Sequence, residues 1–299
     1  MKYFLLLMMG LMMMLASCKK ETFTTNAADK LSFSADTLTF DTVFTTQGSD
    51  TRAFKIYNKH NQSIRITRIG LKNGSSSIFN LNVDGISGKD FFDVEIPAHD
   101  SMYVFAEVTI DPTSGVLPFV VEDAVTFETN GNNQQVLLNA WGQDAHFFYG
   151  RIIGNATWSA NKPYVIIHSL EVDTNATLTI MPGCRIYMHA DSKLYVAGTL
   201  KVMGTLGDSV IFRGDRLEQY FVDLPGNWLG IHFLKTSTDN QINYAVLNEA
   251  TVAVQVDSLS NNSNPKLTIR NTIIKNALSA GVRGIDGDVL AENSLLFDI

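Results

Sequence analysis

The chain has 299 residues, 45% of them hydrophobic and 10% aromatic, ample for a buried core and long enough to suggest two domains. Its formal net charge is −7 and no basic stripe runs along it, which excludes nucleic acid as a partner. With two cysteines, Cys18 and Cys184, and a role for the first given below, a disulfide framework is excluded as well.

The N-terminus reads as an export signal. Lys2 is positive, residues 3–15 (YFLLLMMGLMMML) are uncharged and apolar, and Leu15-Ala16-Ser17-Cys18 offers a small-residue cleavage site. A signal peptide needs an apolar stretch of roughly 7–15 residues. A spanning helix needs about 20, and this chain turns charged at Lys19-Lys20-Glu21. Leu-Ala-Ser-Cys resembles the lipobox of bacterial lipoproteins. The resemblance implies removal of residues 1–17, a diacylglyceryl group on the Cys18 thiol and acylation of the new amine. The lipid bilayer would then be a partner through acylated Cys18. Each buried CH₂ adds about 0.8 kcal/mol, so two or three chains hold far better than one. The plain alternative is a secretory signal with a chance cysteine. Lys19, in place of the Asp that retains some lipoproteins in the inner membrane, points to the outer membrane, facing the periplasm or the outside. Residues 18–30 are polar and unpatterned and read as a tether.

From residue 31 helical signals are nearly absent. Alternating apolar segments recur at 38–44 (LTFDTVF), 52–58 (RAFKIYN), 64–69 (IRITRI), 79–83 (FNLNV), 102–110 (MYVFAEVTI), 124–129 (AVTFET) and 136–140 (VLLNA), divided by turn residues. Seven short strands at this spacing predict a β-sandwich over 31–145. A strand ending at Asn58, the turn Ile96-Pro97-Ala98-His99-Asp100-Ser101 and Asp111-Pro112 after the longest strand follow in order. With them this region resembles the immunoglobulin-like domains of the Hydin and abnormal-spindle group, which implies a spacer or interaction module.

The texture changes over 146–299. ATLTIMPGCRIYM (176–188), SKLYVAGTLKVMGT (192–205), SVIF (209–212) and NWLGIHF (227–233) are strands with Gly or Pro-Gly at the bends. Cys184 shares parity with Ile186 and Met188 and is expected inside as a small hydrophobe, with His189 on the opposite face and no catalytic thiol formed. The pattern Asn-x-x-φ-x-Asn/Asp, with φ aliphatic, begins at Asn243, Asn271 and Asn293, the second 28 residues after the first and the third 22 after the second. A strand-rich repeat of this length predicts coils of a parallel β-helix, with loops of variable length. Asn in register would form ladders; isolated turn formers are the alternative. The region resembles right-handed parallel β-helix proteins of the pectin-lyase-like group through 176–183, 198–205 and Trp228-Leu-Gly-Ile-His-Phe233. That group contains enzymes and adhesin-like proteins alike. The third Asn motif ends next to Ile299 without a cap, so further coils are expected beyond it, a truncation at the C-terminus.

Catalytic signals are weak. None of the Asn-Thr-Asp, Asp-Asp or Gly-His-Gly motifs of the group's galacturonan hydrolases occurs, and Arg213, Asp215, Arg216, Asp191 and Lys193 read as solvated bend residues. The six histidines lack metal-ligand spacing, and Asp286-Gly-Asp288 falls short of the roughly 6–8 oxygens calcium takes, so neither metal nor cofactor is expected. Trp158, Tyr220 and Trp228 are the candidates for a sugar-stacking platform, with packing at the rim the plainer reading. The expectation is a non-enzymatic binding or structural module of the envelope, its partner a polysaccharide or envelope protein. The alternative is a polysaccharide lyase or hydrolase with its site in coils beyond Ile299.

Overall fold

The computed structural model describes residues 22–44, 48–110, 119–218 and 220–299. Cys18, the signal segment and Asp111-Pro112 lie outside the described residues. The described chain is nearly all β-strand and divides into two compact units, Phe119–Gly142 belonging to the first and Gln143–Ile299 forming the second.

The first unit is two five-stranded sheets around one apolar core. Pairing is antiparallel throughout the first sheet and, in the second, from Asn132–Gln143 through Phe119–Thr129 and Ile64–Leu71 to Asp90–Ile96. The alternation read from sequence sets the faces: in Ser101–Val108, Val104, Ala106 and Val108 are buried while Tyr103, Phe105 and Glu107 face out. Phe54 and Phe127 meet edge to face at 6.1 Å in the centre. Among the described residues ten strands are present where seven were expected. Among the additions is Asp90–Ile96, an edge strand on Ile64–Leu71, whose ladder is interrupted where Asp93 takes φ 53. Asn58 explains why the strand-end Asn and the Ile-Pro turn occur together. Its side-chain amide donates to the carbonyls of Gln62, Ile96 and Pro97 at 2.8–3.1 Å, and its Oδ1 accepts from His60 N–H.

The segment expected as a tether is, from Thr22 on, fastened to this unit. Thr24 N–H donates to Ser63 O, Asn130 Nδ2 to Asp29 O, Asn132 Nδ2 to Ala27 O, and Arg65 lies over the Phe23 ring. Unpatterned polarity is no obstacle when the bonds go to backbone carbonyls.

The named strands of the second unit pair in parallel. Strands Ala156–Trp158, Thr177–Ile180, Thr199–Met203, Asn240–Asn243, Leu267–Arg270 and Val289–Glu292 form a six-stranded sheet, hereafter the first face. An 11-stranded sheet holds two further stacks. The second face comprises Arg185–Met188, Val210–Gly214, Ala245–Asn248, Ile273–Lys275 and Leu295–Phe297; the third comprises Lys193–Val196, Gly230–Phe233, Val252–Asp257 and Ala280–Ile285. Both meet at one long strand, Tyr164–Val172, whose first residues pair with the second face and whose last pair with the third, while the remaining strand, His146–Ile153, pairs along its length. Tyr164–Val172 bends between the two faces at His168 and Ser169, φ 65 and 104.

The chain thus visits the three faces in rotation, and from Thr177–Ile180 on each strand pairs with the one three strands later. Leu178, Leu200, Ile242 and Ile269 on the first face, Ile186, Phe212, Leu247 and Ile274 on the second, and Leu194, Ile231 and Val254 on the third all enter one apolar core. Cys184 is fully buried, with Ile186 and Met188. One return is 22 residues, as from Leu178 to Leu200; the next is 40, from Leu200 to Asn240. The long return contains the insertion at residues 215–229. Gly230, φ 108, opens the third-face strand after it, where a Cβ would strike the Val252 carbonyl oxygen.

Candidate functional site

The repeat's Asn residues stack, one position displaced from the sequence alignment. Strand register sets Ile273 against Val246 and Leu295, so Tyr244, Asn271 and Asn293 share one corner and Glu249, Asn276 and Asp298 the other. All six are left-handed, φ 47–70. Asn tolerates that conformation because its short polar side chain bonds locally. The ladder bonds run diagonally: Asn271 Nδ2 to Asn243 Oδ1 at 2.9 Å, and Asn276 Nδ2 to Asn248 Oδ1 at 2.8 Å.

At the second of these corners the insertion is clamped. Glu249, wholly buried, accepts Arg213 Nη2 at 2.9 Å, Gly214 N–H at 3.1 Å and Asp223 N–H at 2.9 Å. Asp223 in turn accepts Lys275 Nζ, Asn248 Nδ2 and Asn276 Nδ2 at 2.8–3.0 Å. The Lys275 hydrogen bond, then that from Asn248, holds the Asp223 carboxyl below the ordinary range. Beside it His189 Nδ1 meets the buried Asp215 carboxylate at 2.6 Å, and that hydrogen bond raises the imidazole pKa. Arg213 and Asp215, read from sequence as solvated, are therefore engaged. Nothing in the local pattern announces their partner Glu249, 36 positions downstream of Arg213.

The three candidates for a stacking platform differ in exposure. Trp228 is fully buried and donates Nε1–H to Asn248 O at 2.7 Å. Trp158 is buried against Tyr164, ring centroids 4.2 Å apart and nearly parallel. Both are core residues because each sits where an inward position recurs; only Tyr220, 80% exposed, reaches solvent. Cys184 is no nucleophile: burial pushes its thiol pKa up, and it donates to Trp158 O. Among the described residues no group of three or more His, Cys, Asp or Glu side chains could hold a metal ion.

The outward side of the third face carries a continuous row the sequence reading missed. Tyr195 pairs with His232, His232 with Gln255 and Gln255 with Arg283, one side chain from each successive strand. Strands here are about 4.8 Å apart, so the row is a regular polar and aromatic strip. His232 Nε2 lies 2.7 Å from Asp257 Oδ2 and 3.1 Å from Gln255 Nε2, and Gln255 also donates to Asp257. Burial pushes the Asp257 carboxyl up, but its bonds from Gln255 and His232 outweigh that and hold it low. Lys193 lies along the Tyr195 ring; burial and then Arg283 lower its pKa. The signal available in sequence was the parity of Tyr195 and His232 opposite to Leu194 and Phe233.

No family model matches the chain, and no curated protein does. Among solved structures it is similar to a PapD-like domain of human CEP192, at 12% identity over 43% of this chain and 94% of that one, TM-score 0.27. It is similar also to the periplasmic chaperone SfaE, at 12% identity over 38% of this chain and 57% of that one, TM-score 0.25. A third is a protein of unknown function from Porphyromonas gingivalis W83, at 9% identity over 42% and 60% of the two chains, TM-score 0.27.

Two arrangements therefore stand out in the second unit: a buried clamp that fixes the insertion, and a half-exposed strip. In the strip His232 Nδ1 is buried without a hydrogen-bond partner, and Nε2 is spent on Asp257 and Gln255. Ring edges, amide and guanidinium in this strip are placed to hold a ligand.

Proposed function

We propose that this chain is a non-enzymatic binding lipoprotein of the bacterial envelope. An acylated Cys18 anchors it to the outer membrane, an immunoglobulin-like domain of the Hydin group acts as spacer, and a right-handed parallel β-helix presents the ligand-binding face. Parallel pairing of every third strand around one core supports the β-helix reading. The observation that carries the function is the row Tyr195–His232–Gln255–Arg283, with Lys193 and Asp257 at its flanks. A row of one side chain per strand suits an extended chain such as a polysaccharide running across the strands, and an envelope protein is the competing ligand.

The test is retention of the full-length protein on immobilised envelope polysaccharides, with release of sugar ends followed in parallel. Retention without product, weakened tenfold or more in the Tyr195→Ala/Arg283→Ala double variant, is expected. Unchanged retention in that variant sinks the site. For the anchor, Cys18→Ala is expected to move the protein to the soluble fraction with its fold intact; equal membrane retention would show the lipobox reading wrong.

A second reading, polysaccharide cleavage, draws on His189, half-exposed and oriented by the buried Asp215 carboxylate as a general acid or base would be. Product release lost in His189→Gln would establish it in place of the first.

A further inference from the structure

The geometry points to a second ligand site on the outer surface of the sandwich, a stacked aromatic pair whose open ring, Phe105, takes the pyranose face of an uncharged glycan. It is independent of the row on the third face. Ser101–Val108 turns Tyr103 and Phe105 outward, 49% and 40% exposed. Their rings lie 5.7 Å apart and within 23° of parallel. Large exposed aromatics side by side are the informative departure from an ordinary surface.

The neighbouring strands shape what can lie on them. Ala53 is opposite Phe105 on one side, too small to cover the ring, and Asn82 is opposite it on the other. Lys55, opposite Tyr103, sets its ammonium 4.6 Å from that ring's centroid. Asn80, opposite Glu107, donates to Glu107 and to Ser87 Oγ. Asn82, opposite Phe105, accepts from Gly85 N–H through Oδ1. Lys55 and Glu107 flank the rings, and Asp84, Glu95 and Asp100 line the cleft beside them, so an acidic glycan is repelled and an uncharged one fits.

The platform's place in the sheet excludes a β-strand partner. The order of this sheet puts Ser101–Val108 between Arg52–Tyr57 and Phe79–Val83, with its backbone bonded on both sides. Strand addition needs an open edge. A ligand on an interior strand is read by side chains alone. Ring faces are electronegative and attract weakly positive C–H groups, and a rim of amides and hydroxyls bonds hydroxyls. Flat C–H faces edged with hydroxyls are the chemistry of a pyranose.

The experiment is affinity electrophoresis of the full chain through gels containing xylan, mannan, β-1,3-glucan or starch. The wild type is expected to be retarded by at least one. Tyr103→Ala and Phe105→Ala should each weaken that retardation tenfold or more, and Phe105→Tyr, which keeps the ring, should restore it. Tyr103→Ala and Phe105→Ala made in the Tyr195→Ala/Arg283→Ala background should abolish whatever retardation that background retains, which separates this site from the third face. Free migration of the wild type through all four gels overturns the inference. So does wild-type retardation of a Tyr103→Ala/Phe105→Ala protein.

Discussion

The sandwich and the parallel stack bury comparable apolar side chains but manage buried polarity differently. In the antiparallel unit a single side chain, Asn58, fastens a turn to a strand end through three carbonyls. In the stack, polar groups gather wherever the chain leaves one face for the next: Glu249, Lys266, Asn240, Asn248, Ser192 and Ser237 are all buried. Lys266 Nζ, for example, sits among the carbonyls of Lys235 and Asp257 and the Ser258 hydroxyl at 2.8–3.0 Å, and burial lowers its pKa. Hairpins close their own backbone bonds; corners between parallel strands leave theirs to side chains.

Removing a corner carboxylate should sharpen this contrast most. Glu249→Ala leaves Arg213 unpaired under the insertion and is expected to cost about 3–5 kcal/mol. Hydrogen exchange should speed up in the second unit while the sandwich keeps its protection; loss spread evenly over both would break the comparison. Asn58→Ala, the counterpart in the sandwich, leaves buried carbonyls without donors, at about 1–3 kcal/mol in denaturant unfolding. Its exchange signature should be confined to the first unit.

The ladder follows with a smaller effect. Asn271→Ala loses a bond to Asn243 and strains a left-handed residue, costing about 1–2 kcal/mol. Asn271→Gly should recover part of that, and a glycine no better than alanine would argue against backbone strain. The smallest effect is electrostatic. His189 has its pKa raised above about 6.5 by Asp215. Its contribution to stability is therefore complete below about 6.5 and lost as pH rises through the folded-state value. An NMR titration should find its midpoint raised in the wild type and lowered in Asp215→Asn.

What sequence made legible follows from period and parity. Cys184, Ile186 and Met188 face inward as their spacing requires. The asparagines lie at the corners, yet the alignment on Asn243 sits one residue off the register, because the left-handed position there is Tyr244. Asp90–Ile96 escaped notice since DFFDVEI, with its left-handed Asp93, does not alternate cleanly. Trp228 reads as a rim aromatic until its indole is seen bonding a carbonyl inside the core. The third-face row was hidden for a different reason. Its members are tens of residues apart and meet only after three loops of unequal length have been subtracted.

The strand Tyr164–Val172 feeds two stacks from one backbone. Every later strand of both inherits its alignment from this ancestor, as copies inherit the offset of a template. A one-residue slip there would turn whole columns inside out, so the bend of His168 and Ser169 sets the register of both columns at once.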